Sequence, residues 1–314
     1  MNIGIFVAGD AAPQGEKRNY DFLVKRGVSV IEHPICKKQY NGHLAGTAIE
    51  RANALHELYL DDRIDVVMSF WGGLNTNEIL HSLDYSLIKE NYKPTIGFSD
   101  TTALLNAITK MTGHITYLGP SGITFLKPEP LEYSFESMLK MLSGEKEIFI
   151  IDSKIYADDA YYLRKSPNNL AREIKTTSGR SVIRQGIATG TVVAGNMQTL
   201  AALSGTQYFP NLYGAILFLE EDEFITAPVF RRFITQLSQQ DNFRSIRGVV
   251  FGRMPGVAKI TEEQFANCIN DVFGKTEIPI LANLDFGHTD PMFTIPIGGI
   301  AHINTETKTL IFNQ

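Results

Sequence analysis

Thr95-Ile96-Gly97-Phe98-Ser99-Asp100-Thr101-Thr102-Ala103-Leu104-Leu105 decides the fold. Residues 95–98 read as a short buried strand. Residues 100–112 carry apolar side chains at helical spacing and stop at Gly113, a helix-ending residue. The unit is strand, tight turn, helix, with a serine at the turn. In an open α/β sheet such a turn lifts the hydroxyl out at the carboxyl end of the strands, where ligands bind. Serine is also a favoured helix N-cap, and the local pattern leaves both roles open for Ser99.

The same alternation runs upstream. Residues 3–7 read as a strand, 14–26 as a helix closed by Gly27, and 28–31 as a second strand. Thr47 and Glu50 have the spacing of a capping box, opening a helix through Leu60 with Ala48, Ala52, Leu55 and Tyr59 on one face. Residues 64–70 are strand-like, Trp71-Gly72-Gly73 follows, and a helix is expected near 76–83. This βαβα order predicts an α/β fold: a doubly wound parallel-sheet domain over residues 1–148.

Downstream the pattern changes. Residues 126–185 are irregular, with Pro128, Pro130 and a short helix near 135–142. Residues 149–185 read as a linker and long surface loop, the kind of segment that often carries function. Tyr156, Tyr161 and Tyr162 lie close together in it. A second domain over 186–314 reads mostly as strands, at 190–194, 214–219, 249–251, 279–282 and 300–303, with a helix at 228–239.

Bulk properties narrow the classes. A chain of 314 residues suits two domains. A net charge of −5 without long runs of either sign argues against a nucleic-acid partner, which needs a basic face. Cys36 and Cys268 match no metal or disulfide spacing and read as free buried thiols. The N-terminus lacks the features of a signal peptide, and no apolar run reaches the ~18 residues of a membrane span. A cytoplasmic protein is expected, with no metal and no cofactor; neither glycine segment is a dinucleotide or Walker motif.

A reactive serine needs an oxyanion site, a base and an acid. The Asp100 amide sits at a helix N-terminus beside Ser99, and Gly72-Gly73 allow close backbone approach to a ligand. A glycine-rich turn without function fits the second segment equally well. Of seven histidines, His288 stands out in the loop Asp285-Phe286-Gly287-His288-Thr289-Asp290-Pro291, directly after a strand. A structural histidine remains an equal alternative there. Glu220 ends the apolar run Ile216-Leu217-Phe218-Leu219, where a charge is costly unless paired. Glu221, Asp222 and Glu223 follow, so a solvated acidic turn is the other reading.

These segments, in this order, resemble the LD-carboxypeptidase family of serine peptidases. The resemblance rests on Gly46-Thr47 with Glu50-Arg51-Ala52, Gly72-Gly73, Gly97-Phe98-Ser99-Asp100-Thr101-Thr102-Ala103-Leu104, Gly195-Asn196, Gly205-Thr206, Leu217-Phe218-Leu219-Glu220 and Gly287-His288. It implies Ser99 as nucleophile, Glu220 as orienting acid, His288 as base, and backbone oxyanion donors at Gly73 and Asp100. It further implies a smaller β-rich C-terminal domain, a triad assembled between domains, and a homodimer.

Two branches of that family differ in substrate: one trims peptidoglycan tetrapeptides, the other resembles microcin C immunity peptidases acting on aspartyl-nucleotide compounds. Gly73-Leu74-Asn75-Thr76-Asn77-Glu78 and the long loop resemble the second branch. Two traits of that branch are missing here: a tryptophan in the loop, and a lysine shortly after the acid, near whose place Phe224 stands. Trp71, Gly72, Asn196, Tyr161 and Tyr162 are the substrate-binding candidates, Asn196 for a free carboxylate and the tyrosines for stacking on a base. The reading from another class is a two-domain protein that binds a small ligand without catalysis, with Ser99 only a helix cap.

Overall fold

Short runs of β-branched and apolar residues build the first sheet. In the computed structural model, which describes residues 1–13, 18–126, 132–160 and 172–314, these runs are strands, fully buried at the centre of the sheet and partly exposed at the β2 edge. β1 (Asn2–Phe6), β2 (Ser29–Glu32), β3 (Val66–Ser69), β4 (Thr95–Gly97) and β5 (Thr116–Leu118) lie parallel in the order β2-β1-β3-β4-β5. Helices α1 (Asp21–Val24), α2 (Ala48–Leu60), α3 (Tyr85–Glu90) and α4 (Thr102–Thr112) occupy the connections. The expected capping box opens α2: Thr47 Oγ1 accepts the Glu50 N–H at 3.2 Å and Glu50 accepts the Thr47 N–H at 2.9 Å.

The helix expected over 14–26 is only one turn in its described part. Asn19 Oδ1 accepts the Asp21 N–H at 2.9 Å, a local turn that lets the helix begin only at Asp21. Residues 14–17 of that expectation lie outside the described residues. The helix near 76–83 takes the tighter 3-10 form over Thr76–Ser82.

The rest of the chain runs through α5 (Glu132–Leu142), β6 (Glu147–Phe149), β7 (Ile155–Tyr156), β8 (Lys175–Thr176), β9 (Ser181–Arg184), β10 (Ile187–Asn196) and α6 (Met197–Ala202). It continues with β11 (Ala215–Glu220), α7 (Ala227–Ser238), β12 (Gly248–Gly252), α8 (Glu262–Phe273), β13 (Ile280–Leu284), β14 (Ile295–Ile297), β15 (Ile300–Asn304) and β16 (Thr309–Asn313). Among the described residues the second sheet has the order β6-β16-β15-β10-β11-β12-β13-β9. Its centre, β10 to β13, is parallel, and both flanks are antiparallel.

The chain does not divide cleanly in sequence. The expected boundary at residue 148 falls inside β6, a strand of the second sheet, and the expected linker supplies β7, β8 and β9. β14 crosses back and pairs antiparallel with β5 of the first sheet. Strands of two to four residues are too short to show alternation, so these pairings leave no sequence pattern.

Contacts at the end of β10 fix the sheets together. The Asn196 N–H donates to Thr102 Oγ1 at 2.9 Å, and buried Asn106 of α4 donates to the carbonyls of Thr102 (2.9 Å) and Ala194 (3.0 Å). Gly195, at φ 155°, lies so close to Thr102 that a Cβ would collide with it. An aromatic chain fills the core behind: Phe218 meets Phe312 at 5.4 Å and Phe286 at 6.1 Å, and Phe286 meets Phe293 at 5.6 Å. Among the described residues no helix is long and apolar enough to cross a membrane. Replacing Asn106 with Ala strips the joint of its buried donor and leaves the Ala194 carbonyl unpaired. The expected loss is about 1–3 kcal/mol in urea unfolding with an unchanged slope, and an unchanged midpoint would contradict the role given to this joint.

Candidate active site

Three strand ends converge on one point. Ser99 follows β4, Glu220 ends β11, and His288 lies in the loop after β13. All three are at carboxyl ends of parallel strands, Ser99 on the first sheet and Glu220 and His288 on the second, and they are adjacent in space. His288 Nε2 is 3.1 Å from Ser99 Oγ, and His288 Nδ1 is 2.6 Å from Glu220 Oε2. The three candidates form one hydrogen-bonded line.

Ser99 is not a helix cap here. It has φ 61°, a left-handed conformation costly for a residue with a Cβ, by about 1–2 kcal/mol. That backbone swings the side chain away from the N–H groups of the following turn and towards His288. Two glycines make room. A Cβ on Gly72 would sit 2.8 Å from Ser99 Oγ and 2.9 Å from the Asp100 nitrogen, and a Cβ on Gly97 would collide with Ser69 and Thr101. Gly73 has φ 114° and backs onto Asp10. The two backbone segments expected to flank an oxyanion therefore lie against each other beside the serine hydroxyl.

The Asp100 side chain fastens them. It is 7% exposed, and its Oδ2 accepts the Thr76 N–H at 2.7 Å, tying the turn after Gly73 to the turn of Ser99. Burial pushes its carboxyl above the ordinary aspartate range. Sequence reasoning used only the amide of Asp100; its side chain became visible only in the folded geometry.

Glu220 is 1% exposed, as its position after an apolar strand requires, and Gly287 is what lets His288 reach it. Gly287 has φ 96°, and a Cβ there would lie 2.6 Å from Glu220 Oε2. Phe98 packs edge-on to the imidazole with centroids 5.2 Å apart. Burial disfavours the imidazolium. The Glu220 carboxylate outweighs it, helped by Asp222 and Glu223, and pushes His288 up to about 9. Glu221 turns away to Gln198, whose amide donates to it at 2.8 Å, and burial pushes its carboxyl up to about 8.

The other six histidines have other partners. His33 meets Glu57, His56 accepts the Asp84 N–H, His81 meets Tyr208, His43 and His114 meet backbone carbonyls, and His302 meets Thr189. Among the described residues no cluster of His, Cys, Asp and Glu could hold a metal.

The substrate-binding candidates fare unevenly. Gly72 lies against Ser99. The Trp71 indole N–H is committed to the Asp10 carbonyl at 2.8 Å. Asn196 is beside Glu220 in the β10–β11 register, but its Oδ1 caps α6 by accepting the Thr199 N–H at 3.1 Å, leaving only its amide end for a ligand. Tyr156 packs against the Arg253 guanidinium, 4.2 Å from the ring centroid. Tyr161 and Tyr162 lie outside the described residues.

Comparison with known proteins agrees with this architecture. The model of the LD-carboxypeptidase N-terminal domain matches residues 5–119, and that of the LD-carboxypeptidase C-terminal domain matches residues 189–303. The microcin C7 self-immunity protein MccF of Escherichia coli is 30% identical over 95% of this chain and 87% of its own. The crystal structure of an MccF-like protein from Bacillus anthracis str. Ames has a TM-score of 0.92 at 35% identity, covering 100% of this chain and 96% of that one. MccF in complex with aspartyl sulfamoyl adenosine has a TM-score of 0.91 at 26% identity, covering the same shares.

An NMR titration of the His288 imidazole should give a midpoint near 9, and Glu220→Gln should lower it, because the carboxylate favours the cation. The pairing then stabilises the fold fully below pH ~6.5 and ceases to do so as pH rises through about 9. A wild-type midpoint at or below 6.5 would contradict this electrostatic arrangement.

Proposed function

The chain belongs to the LD-carboxypeptidase family, and on that premise we propose that it is a serine amidase with Ser99, His288 and Glu220 as its triad. The hydrogen-bonded line from Glu220 through His288 to Ser99 carries this reading. A non-catalytic ligand-binding protein would have no reason to hold a serine in a left-handed conformation against a buried histidine–glutamate pair.

In the proposed mechanism the neutral His288 Nε2 takes the Ser99 proton as Oγ attacks an amide carbonyl. The carbonyl oxygen becomes an oxyanion held by the Gly73 and Asp100 N–H groups, each donor worth about 3 kcal/mol in comparable sites. Glu220 holds the imidazole by Nδ1 and stabilises its cation. His288 then gives the proton to the leaving nitrogen, the C–N bond breaks, and an ester on Ser99 remains. A water deprotonated by His288 attacks that ester and releases the acid.

For substrate, we favour an aspartyl-nucleotide or related peptidyl compound with a free carboxylate. Support comes from the likeness to MccF, whose structure with aspartyl sulfamoyl adenosine has nearly the same fold, and from Asn196, whose amide end can donate to a carboxylate. Phe224, 69% exposed, is near the place of the branch's lysine, so the leaving group need not be held by a cation there.

Ser99→Ala should lower hydrolysis of aspartyl sulfamoyl adenosine by at least ~10³-fold while leaving the melting temperature unchanged. An alanine variant that keeps more than a few per cent of wild-type turnover would overturn the assignment. Only neutral His288 can act as base, so kcat/KM should climb as pH rises from 6.5 towards about 9. A higher kcat/KM for an L,D-tetrapeptide than for the nucleotide compound would move the protein to the peptidoglycan-trimming branch.

A further inference from the structure

The loop that carries His288 is bracketed by two buried ion pairs. Three residues before the histidine, Asp285 is 2.7 Å from Arg253 and accepts the Ser153 N–H at 2.8 Å. Two residues after it, Asp290 is 3.0 Å from Arg172, whose Nη2 is also 2.8 Å from Asp159. Asp290 and Ala157 exchange two backbone hydrogen bonds, of 2.7 and 2.9 Å. The Arg172 side chain is 3% exposed, and its two carboxylate partners are 5% and 6% exposed.

Such a cluster is poor value as stabilisation. Withdrawing three charges from water costs several kcal/mol each, and an apolar triad of the same volume would serve the core as well or better. What a guanidinium fork supplies is direction: it holds two carboxylates in one plane and so fixes Asp159 relative to Asp290. Asp290 is two residues from the imidazole.

We propose that Arg172 is a positioning residue for the base: by joining Asp159 to Asp290 it holds the His288 loop at the height where the imidazole meets Ser99. This rests on the proposed role of His288. Asp159 and Arg172 are then part of the machinery that aims the base.

The test measures the rate at which a fluorophosphonate modifies Ser99. The proteins compared are the wild type, R172K, D159N, H288A and R172K/H288A. Lysine keeps the positive charge between the carboxylates but cannot fork to both. D159N frees one arm and leaves Asp290 paired, and it carries the comparison if R172K does not fold. Misplacement of a reacting group by about 1 Å can cost ~10²-fold, so R172K should slow modification by ~10-fold or more and D159N by less. In the H288A background R172K should change the rate by no more than ~2-fold, since there is no base left to misplace. Wild-type rates in R172K and D159N, or a loss of equal size with and without His288, would overturn the proposal. If H288A itself reacts at the wild-type rate, the role of His288 fails first and the proposal falls with it; a slow H288A beside a fast R172K rejects the proposal alone.

Discussion

The hydrogen bond between His288 and Ser99 spans the join of two sheets, and the rest of the molecule is arranged so that its two ends meet. Ser99 is fixed to the first sheet through β4 and α4, and Glu220 and His288 to the second through β11 and β13. α4 begins at Thr102, three residues after Ser99, and Thr102 is the residue against which Gly195 and the Asn196 amide are packed. A shift of one sheet on the other would open the 3.1 Å contact, because its two ends belong to different sheets. β14 adds a second restraint, returning to the first sheet seven residues after His288 and pairing there with β5.

Electrostatic cost concentrates at the same place. Glu220, Glu221 and Asp285 are each 1% exposed. Each is balanced in a different way: Glu220 by the imidazole, Asp285 by Arg253, and Glu221 by accepting the Gln198 amide with its carboxyl pushed up to about 8. A carboxyl that holds its proton near neutral pH adds no second negative charge beside Glu220. The line from Glu220 to Ser99 thus keeps one dominant acid.

Much of this was legible in the sequence because the signals are local. A serine between a short strand and a helix, a carboxylate at the end of an apolar run, and a histidine after glycine in a post-strand loop each state their own oddity. The capping box of α2 and the Gly113 stop are of the same kind. The joint was not legible. Nothing near Asn106 announces that it will bind the carbonyl of residue 194, and nothing near Arg172 announces Asp290, 118 residues away. Nor does anything near Tyr156 announce the Arg253 guanidinium that packs on its ring. Local chemistry names the reacting groups, and long-range packing decides what holds them.

The central claim is that Ser99 becomes covalently acylated across this joint. Quenching turnover of aspartyl sulfamoyl adenosine with acid and mapping the protein by mass spectrometry tests it most directly. The account predicts an aspartyl ester on the peptide that contains Ser99, formed within the first turnover and absent when Ser99 is alanine. Steady hydrolysis with no ester on that peptide, or an ester on another residue, would contradict it.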